Sequence, residues 1–231
     1  MAKPKRTSTR PRAVRDAEAK RQQTAFHEAG HAVADIRLLG ASPHVTIVPN
    51  RKRGCLGSTS TDQGWDDHES AGSAGKHLVS LYAGFAAEQR LAPGADQRGA
   101  RGDFARAQRI LVTLYGAKEG PRRVDEWREK AAAFVAEPEN WRAIERFAAE
   151  LLEHGTVDGQ LSALLVDVAD RKANEASWRA ARRQFESMTR PAKALTKPGA
   201  GRGRPFDRGD FGKKVLGESG APPWAPRRGS R

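Results

Sequence analysis

The sequence lacks several features, and each absence narrows the class of protein. Its 231 residues contain a single cysteine, Cys55, so no intramolecular disulfide can form and a reducing compartment is expected. No apolar run approaches the roughly 18 to 20 residues that cross a bilayer. The basic N-terminus has no apolar segment of the kind that a secretory signal needs. These absences predict a soluble, cytoplasmic protein with no transmembrane segment.

Acidic residues are scarce at both ends of the chain, although the net charge is +13 overall. Residues 1–23 carry eight Lys or Arg against two Asp or Glu, and residues 190–231 carry eleven against three. The ends are also rich in Pro and Arg, and such composition does not bury enough apolar surface to fold alone. We therefore predict disordered basic tails at 1–14 and 189–231, with one folded domain at 15–188.

These tails have the composition of segments that bind nucleic acid without reading its sequence. Basic side chains gain affinity by releasing counterions from the phosphates. Phe206 and Phe211 lie among arginines in the C-terminal tail, where they could stack on bases. A tail that only keeps the protein soluble would have the same composition, so non-specific nucleic acid is one of two open interpretations.

Between the tails, apolar residues recur mostly at helical spacing. Helices are predicted over residues 17–39, 74–91, 122–136 and 139–154, and from Asp103 and Asp158 onward. β-Branched residues in HVTIVPN (44–50) and CLGSTST (55–61) predict two strands that pair as a hairpin. Gly40 and Gly155 would end helices in the left-handed conformation. The expected fold is mainly α (α+β), with a small hairpin or sheet beside the first helix.

The first helix contains the stretch TAFHEAGHAVADI, residues 24–36, which has the pattern H-E-x-x-H. His27 and His31 lie about 40° apart around the helix and one turn along it, so both rings can reach one metal ion. Zinc accepts imidazole nitrogen and keeps a position for water in catalytic sites. Glu28 is then placed to take a proton from a zinc-bound water. Two solvated histidines would show the same pattern, so a third ligand decides between these interpretations.

The other side of this helix is apolar. Ala29, Val33 and Ile36 fall opposite the histidines, which predicts a helix with one face in the core and the other in a cleft. Gly30 leaves the helix surface bare, so another backbone could pack closely against it.

TAFHEAGHAVA resembles the zinc-site helix of the FtsH-type proteases, which are membrane-anchored AAA+ zinc metalloproteases. The following segments are similar in the same order: HVTIVPN with GCLGSTST, LVSLYAGFAAEQRL, GARGDFARAQRI, and WRAIERFAAELLEHGTVDGQLSALL. The similarity covers about residues 17–168. It implies a helical zinc-metallopeptidase domain in a stand-alone, soluble version.

The resemblance implies a set of site residues. His27, His31 and Asp103 would be the zinc ligands, and Glu28 the catalytic base. Glu88 is the main rival of Asp103 as third ligand, since other zinc peptidases use a glutamate on a following helix. Asp96 is a weaker rival, and an ordinary helix N-cap would also explain Asp103.

In the family, the strand after the zinc-site helix pairs with the substrate backbone. Cys55, Leu56 and Gly57 would form that edge here. The implied function is a zinc-dependent metalloendopeptidase that hydrolyses peptide bonds of unfolded proteins or peptides.

The chain departs from the family in one respect. FtsH-type proteases carry transmembrane helices and an ATPase domain, whereas this sequence has no G-x-x-x-x-G-K-[ST] pattern. We therefore expect no ATPase motor of its own, and as partners a polypeptide substrate with either a separate AAA+ ATPase or further copies of the chain. The alternative function is a catalytically inactive adaptor that binds nucleic acid or protein through the basic tails. Intact His27, Glu28 and His31 favour the enzyme.

Overall fold

The computed structural model describes residues 11–50, 52, 56–60 and 71–189. The helices are α1 (Arg12–Ala34), α2 (Ala71–Leu91), α3 (Arg101–Glu119), α4 (Val124–Ala136), α5 (Pro138–His154), α6 (Gly159–Ala169) and α7 (Glu175–Thr189). The strands are β1 (His44–Thr46), β2 (Ser58–Ser60) and β3 (Thr156–Val157). The predicted fold class, mainly α with a small sheet beside the H-E-x-x-H helix, is confirmed.

Helix α1 begins earlier than the sequence pattern indicated. It starts at Arg12 rather than near Ala17, so residues 12–14, which we assigned to the N-terminal tail, are helical. Its first turns are exposed, and every residue from Ala25 to Ala34 is buried. The helix continues into a wider π-helical turn and ends at Gly40, whose φ of 66° is left-handed, as predicted.

The sheet has the strand order β2-β1-β3, and both pairings are antiparallel. The predicted hairpin is confirmed, since Val45 of β1 lies opposite Thr59 of β2. Within the part of the chain that the structure describes, strand β2 is at one edge of this sheet. On the other side of β1, Val45 pairs with Val157 of β3. We did not predict β3, because its two residues are too few to show an alternation of apolar and polar side chains.

Helix α2 connects two apolar clusters. On one side it packs against α1, where a Cβ added at Gly30 would lie 2.6 Å from the carbonyl oxygen of Ala83. The two backbones are therefore as close as the bare glycine allows, which agrees with the role expected for Gly30. On another side α2 packs against α3 and α4 around Leu78, Leu111 and Trp127. Helix α5 covers a further face of α1.

Helix α7 was not predicted, because mostly polar side chains surround its one buried residue, Trp178. It is held by ion pairs to α5. Arg146 binds both carboxylate oxygens of Glu175, at 2.9 and 3.1 Å. Arg182 reaches the buried carboxylate of Glu150 at 3.3 Å. Among the described residues, no helix is both long and apolar enough to cross a bilayer.

Candidate metal centre

Three side chains converge on one point between α1 and α3. The Nε2 atoms of His27 and His31 are 3.1 Å apart. Oδ2 of Asp103 lies 3.4 Å from each of them. These three side chains could hold one metal ion, because one donor atom from each lies within 4.8 Å of the other two. Two imidazole nitrogens and a carboxylate oxygen are a donor set that suits zinc.

The local structure explains how the three donors meet. His27 and His31 lie one turn apart on the buried part of α1, and each is 7% exposed. Asp103 is in the first turn of α3, directly after a short 3-10 turn at Gln97–Ala100. At this position the carboxylate of Asp103 lies next to the two histidines of α1. The structure therefore brings together all three residues that the sequence singled out as ligands.

The outer nitrogen of each imidazole has its own partner. Nδ1 of His27 donates to Oε2 of Glu88 at 3.2 Å. Nδ1 of His31 donates to the backbone carbonyl of Ser80 at 2.8 Å. Such contacts fix the ring orientation and leave both Nε2 atoms for a shared ligand. Glu88 therefore contacts Nδ1 of His27, whereas Asp103 contacts Nε2 of the same ring.

Asp96, the weaker rival, lies elsewhere. Its carboxylate caps the 3-10 turn by accepting from the backbone N–H of Arg98, and it also pairs with the guanidinium of Arg98. The Asp96 side chain is 53% exposed.

Helix α2 faces this centre with a stripe of residues four apart, namely Ser80, Gly84 and Glu88. A Cβ at Gly84 would overlap the ring of His31, so the glycine makes room for it. Sequence reasoning missed Ser80 and Gly84, although their spacing from Glu88 is a signal that could have found them. It also missed Asp35, a buried carboxylate that accepts a hydrogen bond from the hydroxyl of Ser80. Burial raises the pKa of Asp35.

The electrostatics of the cluster favour a positive charge at its centre. Burial by itself would lower the pKa of His27, but hydrogen bonds to Asp103 and Glu88 outweigh it and raise that pKa to about 10. The pKa of His31 is also raised against the effect of burial, by Asp103. Burial would raise the pKa of Asp103, yet the neighbouring His31 and His27 hold it well below its usual range. A divalent cation would supply the same charge in place of protons.

Glu28 lies beside this cluster rather than in it. It is 7% exposed, and Oγ1 of Thr59 on β2 donates to its Oε2 at 2.8 Å. Gly57 lies next to the other carboxylate oxygen, since an added Cβ would come within 2.7 Å of Oε1. Leu56 is 44% exposed, and Cys55 lies outside the described residues. Sequence reasoning missed Thr59, because nothing in a short run of Ser and Thr marks one hydroxyl.

The helical domain brings two histidines and an aspartate together as a donor set that suits a metal ion, as a metallopeptidase requires. The sequence profile of Peptidase family M41 matches residues 14–176, and the chain belongs to that family. It is 34% identical over 184 residues to the protein named ATP-dependent zinc metalloprotease FtsH 1 of Symbiobacterium thermophilum. The alignment covers 67% of this chain and 30% of that relative, so the chain spans less than a third of the relative's length. The predicted resemblance to the FtsH-type peptidase domain is confirmed.

Proposed function

We propose that the chain is a zinc-dependent metalloendopeptidase that hydrolyses peptide bonds of unfolded proteins or peptides. The observation that carries this proposal is the convergence of His27 Nε2, His31 Nε2 and Asp103 Oδ2, with a buried glutamate beside them. Membership of a peptidase family supports the same conclusion.

His27, His31 and Asp103 are the proposed zinc ligands. Three protein ligands leave the fourth tetrahedral position that a catalytic zinc site keeps for water or substrate. The contacts of the outer nitrogens support Asp103 over Glu88 as third ligand. Glu88 engages Nδ1 of His27, whereas Asp103 lies at the point on which both Nε2 atoms converge.

Bound zinc would polarise a water molecule and lower its pKa toward neutrality, which makes it a nucleophile without strong base. Glu28 acts as general base by accepting a proton from the attacking water on its carboxylate. It then returns this proton to the amine nitrogen of the leaving peptide. Because Glu28 is buried, few solvent molecules compete for its oxygens.

Strand β2 is the proposed docking edge for the polypeptide. It pairs with β1 on one side, and an extended peptide can add to the other side as a further strand. Leu56 and Gly57 directly precede β2 and, with Cys55, complete the proposed edge. Main-chain pairing tolerates many side chains but requires an extended backbone, which unfolded segments provide.

The test combines metal content with casein cleavage. Wild type and Glu28→Gln are expected to hold about one zinc per chain, whereas His31→Ala holds none. Wild type alone among the three should cleave casein. His44→Ala is the matched control, since His44 is 49% exposed and pairs with Asp158 rather than with the cluster. If the wild type retains zinc and cleaves nothing, the peptidase proposal is wrong and the adaptor interpretation is favoured.

A further inference from the structure

We propose that Thr59 is a positioning residue for Glu28, and that strand β2 holds the carboxylate of Glu28 in one orientation. The hydroxyl of Thr59 and the bare backbone of Gly57 do this together. The inference rests on the proposed function, in which Glu28 is the general base.

The first observation is a hydrogen bond from β2 to Glu28. Oγ1 of Thr59 lies 2.8 Å from Oε2 of Glu28 and 3.2 Å from the backbone carbonyl oxygen of the same residue. A hydroxyl has one proton to donate, and an ionised carboxylate is the stronger acceptor. With Oε2 engaged in this way, rotation of the Glu28 carboxylate is restricted.

The second observation concerns the other carboxylate oxygen. Gly57 directly precedes β2, and its backbone lies against the carboxylate of Glu28. A Cβ at Gly57 would lie 2.7 Å from Oε1 and 2.9 Å from Cγ of Glu28. Gly57 is not among the glycines with a left-handed φ, so no turn requires a glycine there. Its missing side chain instead leaves the space that the Glu28 carboxylate fills.

The sheet gives this hydroxyl a fixed position. Thr59 lies opposite Val45 of β1, and Val45 in turn pairs with Val157 of β3. Both valines are fully buried, so the centre of the sheet is anchored in the core. A glutamate side chain has three rotatable torsions, and a displacement of about 1 Å in a catalytic group can cost on the order of 100-fold in rate. A donor on a rigid strand therefore raises the fraction of time that Glu28 spends in the productive orientation.

The arrangement also couples the two parts of the proposed site. The strand that receives the substrate backbone is the strand that holds the base. A peptide paired with β2 is therefore placed in register with the carboxylate of Glu28.

The kinetic test compares two substitutions at one position. Thr59→Val keeps the shape of the side chain but removes the donor, and Thr59→Ser keeps the donor. We expect Thr59→Val to lower kcat on a casein-derived peptide about 10- to 100-fold, with KM changed less than about twofold and zinc retained. Thr59→Ser should recover most of kcat. Thr156→Val is the matched control, because the Thr156 hydroxyl contacts Thr46 at 2.9 Å on the far side of the sheet.

A second measurement does not depend on activity. Crystal structures of the wild type, Thr59→Val and Gly57→Ala should show one carboxylate position for Glu28 in the wild type and a displaced or divided one in both variants. If the wild type cleaves nothing, the proposed function fails, yet these structures still decide whether β2 holds Glu28. The inference is overturned if Glu28 keeps its position in both variants, or if Thr59→Ser loses as much kcat as Thr59→Val.

Discussion

The two histidines of the candidate centre differ in what holds their outer nitrogen. His27 donates to a carboxylate and His31 to a backbone carbonyl. A carboxylate partner makes an imidazole more basic, whereas a carbonyl mainly fixes its tautomer. The sequence could place Asp103 and Glu88 near the histidines by motif order. It could not separate ligand from partner, because that depends on which ring nitrogen each carboxylate meets.

The raised pKa of His27 predicts that zinc and protons compete for this site. Burial opposes the charged ring, but Asp103 and Glu88 raise its pKa to about 10, so the metal-free protein holds this proton at neutral pH. Zinc binds neutral imidazole, and its binding must release the proton. Zinc affinity should therefore increase as pH rises from 7 to 9, by about tenfold per unit for each proton displaced. Competition with a chelator of known pH dependence measures this slope.

Glu88→Gln is the matched variant for this prediction. It keeps a hydrogen-bond acceptor for Nδ1 of His27 but removes the charge, so the pKa of His27 falls and the slope above pH 7 becomes shallower. An ordinary histidine, with a pKa near 6.5, would give almost no slope above pH 7.5. A flat affinity in the wild type over this range would contradict the prediction.

At the scale of elements, the sequence was informative where apolar residues recurred at helical spacing and where β-branched residues clustered. The helix ending at Gly40 and the pairing of residues around Val45 and Thr59 were both expected and are confirmed. The strand at Thr156–Val157 is too short to show a period. Helix α7 contains few apolar residues, and its docking depends on partners in α5 that no local pattern identifies.

Helix α7 is expected to contribute to stability mainly through Trp178. This side chain is 3% exposed, and Arg146 of α5 lies over its ring at 5.7 Å. Trp178→Ala should lower the free energy of unfolding by about 3 to 5 kcal/mol, because it leaves a cavity between α7 and the core. Met188→Ala is the control on the same helix, with a side chain 39% exposed, and should change it by about 0.5 kcal/mol or less. Urea unfolding followed by circular dichroism measures both, and equal effects would show that α7 is not docked through its tryptophan.

For the whole molecule, the candidate centre depends on the packing of segments that are far apart in sequence. Helix α1 contributes the histidines, α2 their outer contacts, α3 the aspartate and β2 the contacts to Glu28. The H-E-x-x-H pattern was sufficient to predict two donors. Thr59 acts through a hydroxyl whose place is set only when the elements pack, so no sequence pattern could assign it.

The relative is named as an ATP-dependent enzyme, and this chain spans 30% of that protein. The 231-residue sequence contains no G-x-x-x-x-G-K-[ST] pattern, the loop that binds nucleotide phosphates. A stably folded protein keeps its backbone hydrogen bonds internal, so it offers no extended segment to β2. We therefore expect the purified 231-residue chain to cleave casein and to leave a tightly folded protein intact, with or without ATP.

A destabilised variant of the same folded protein is the appropriate control. Its unfolded fraction exposes extended backbone, and cleavage should rise in proportion to that fraction when opening is fast relative to cleavage. Gel time courses of the stable protein, its destabilised variant and casein would measure the three rates. If the stable protein were degraded as fast as casein, cleavage would not require an unfolded substrate, and strand addition at β2 could not be the step that selects it.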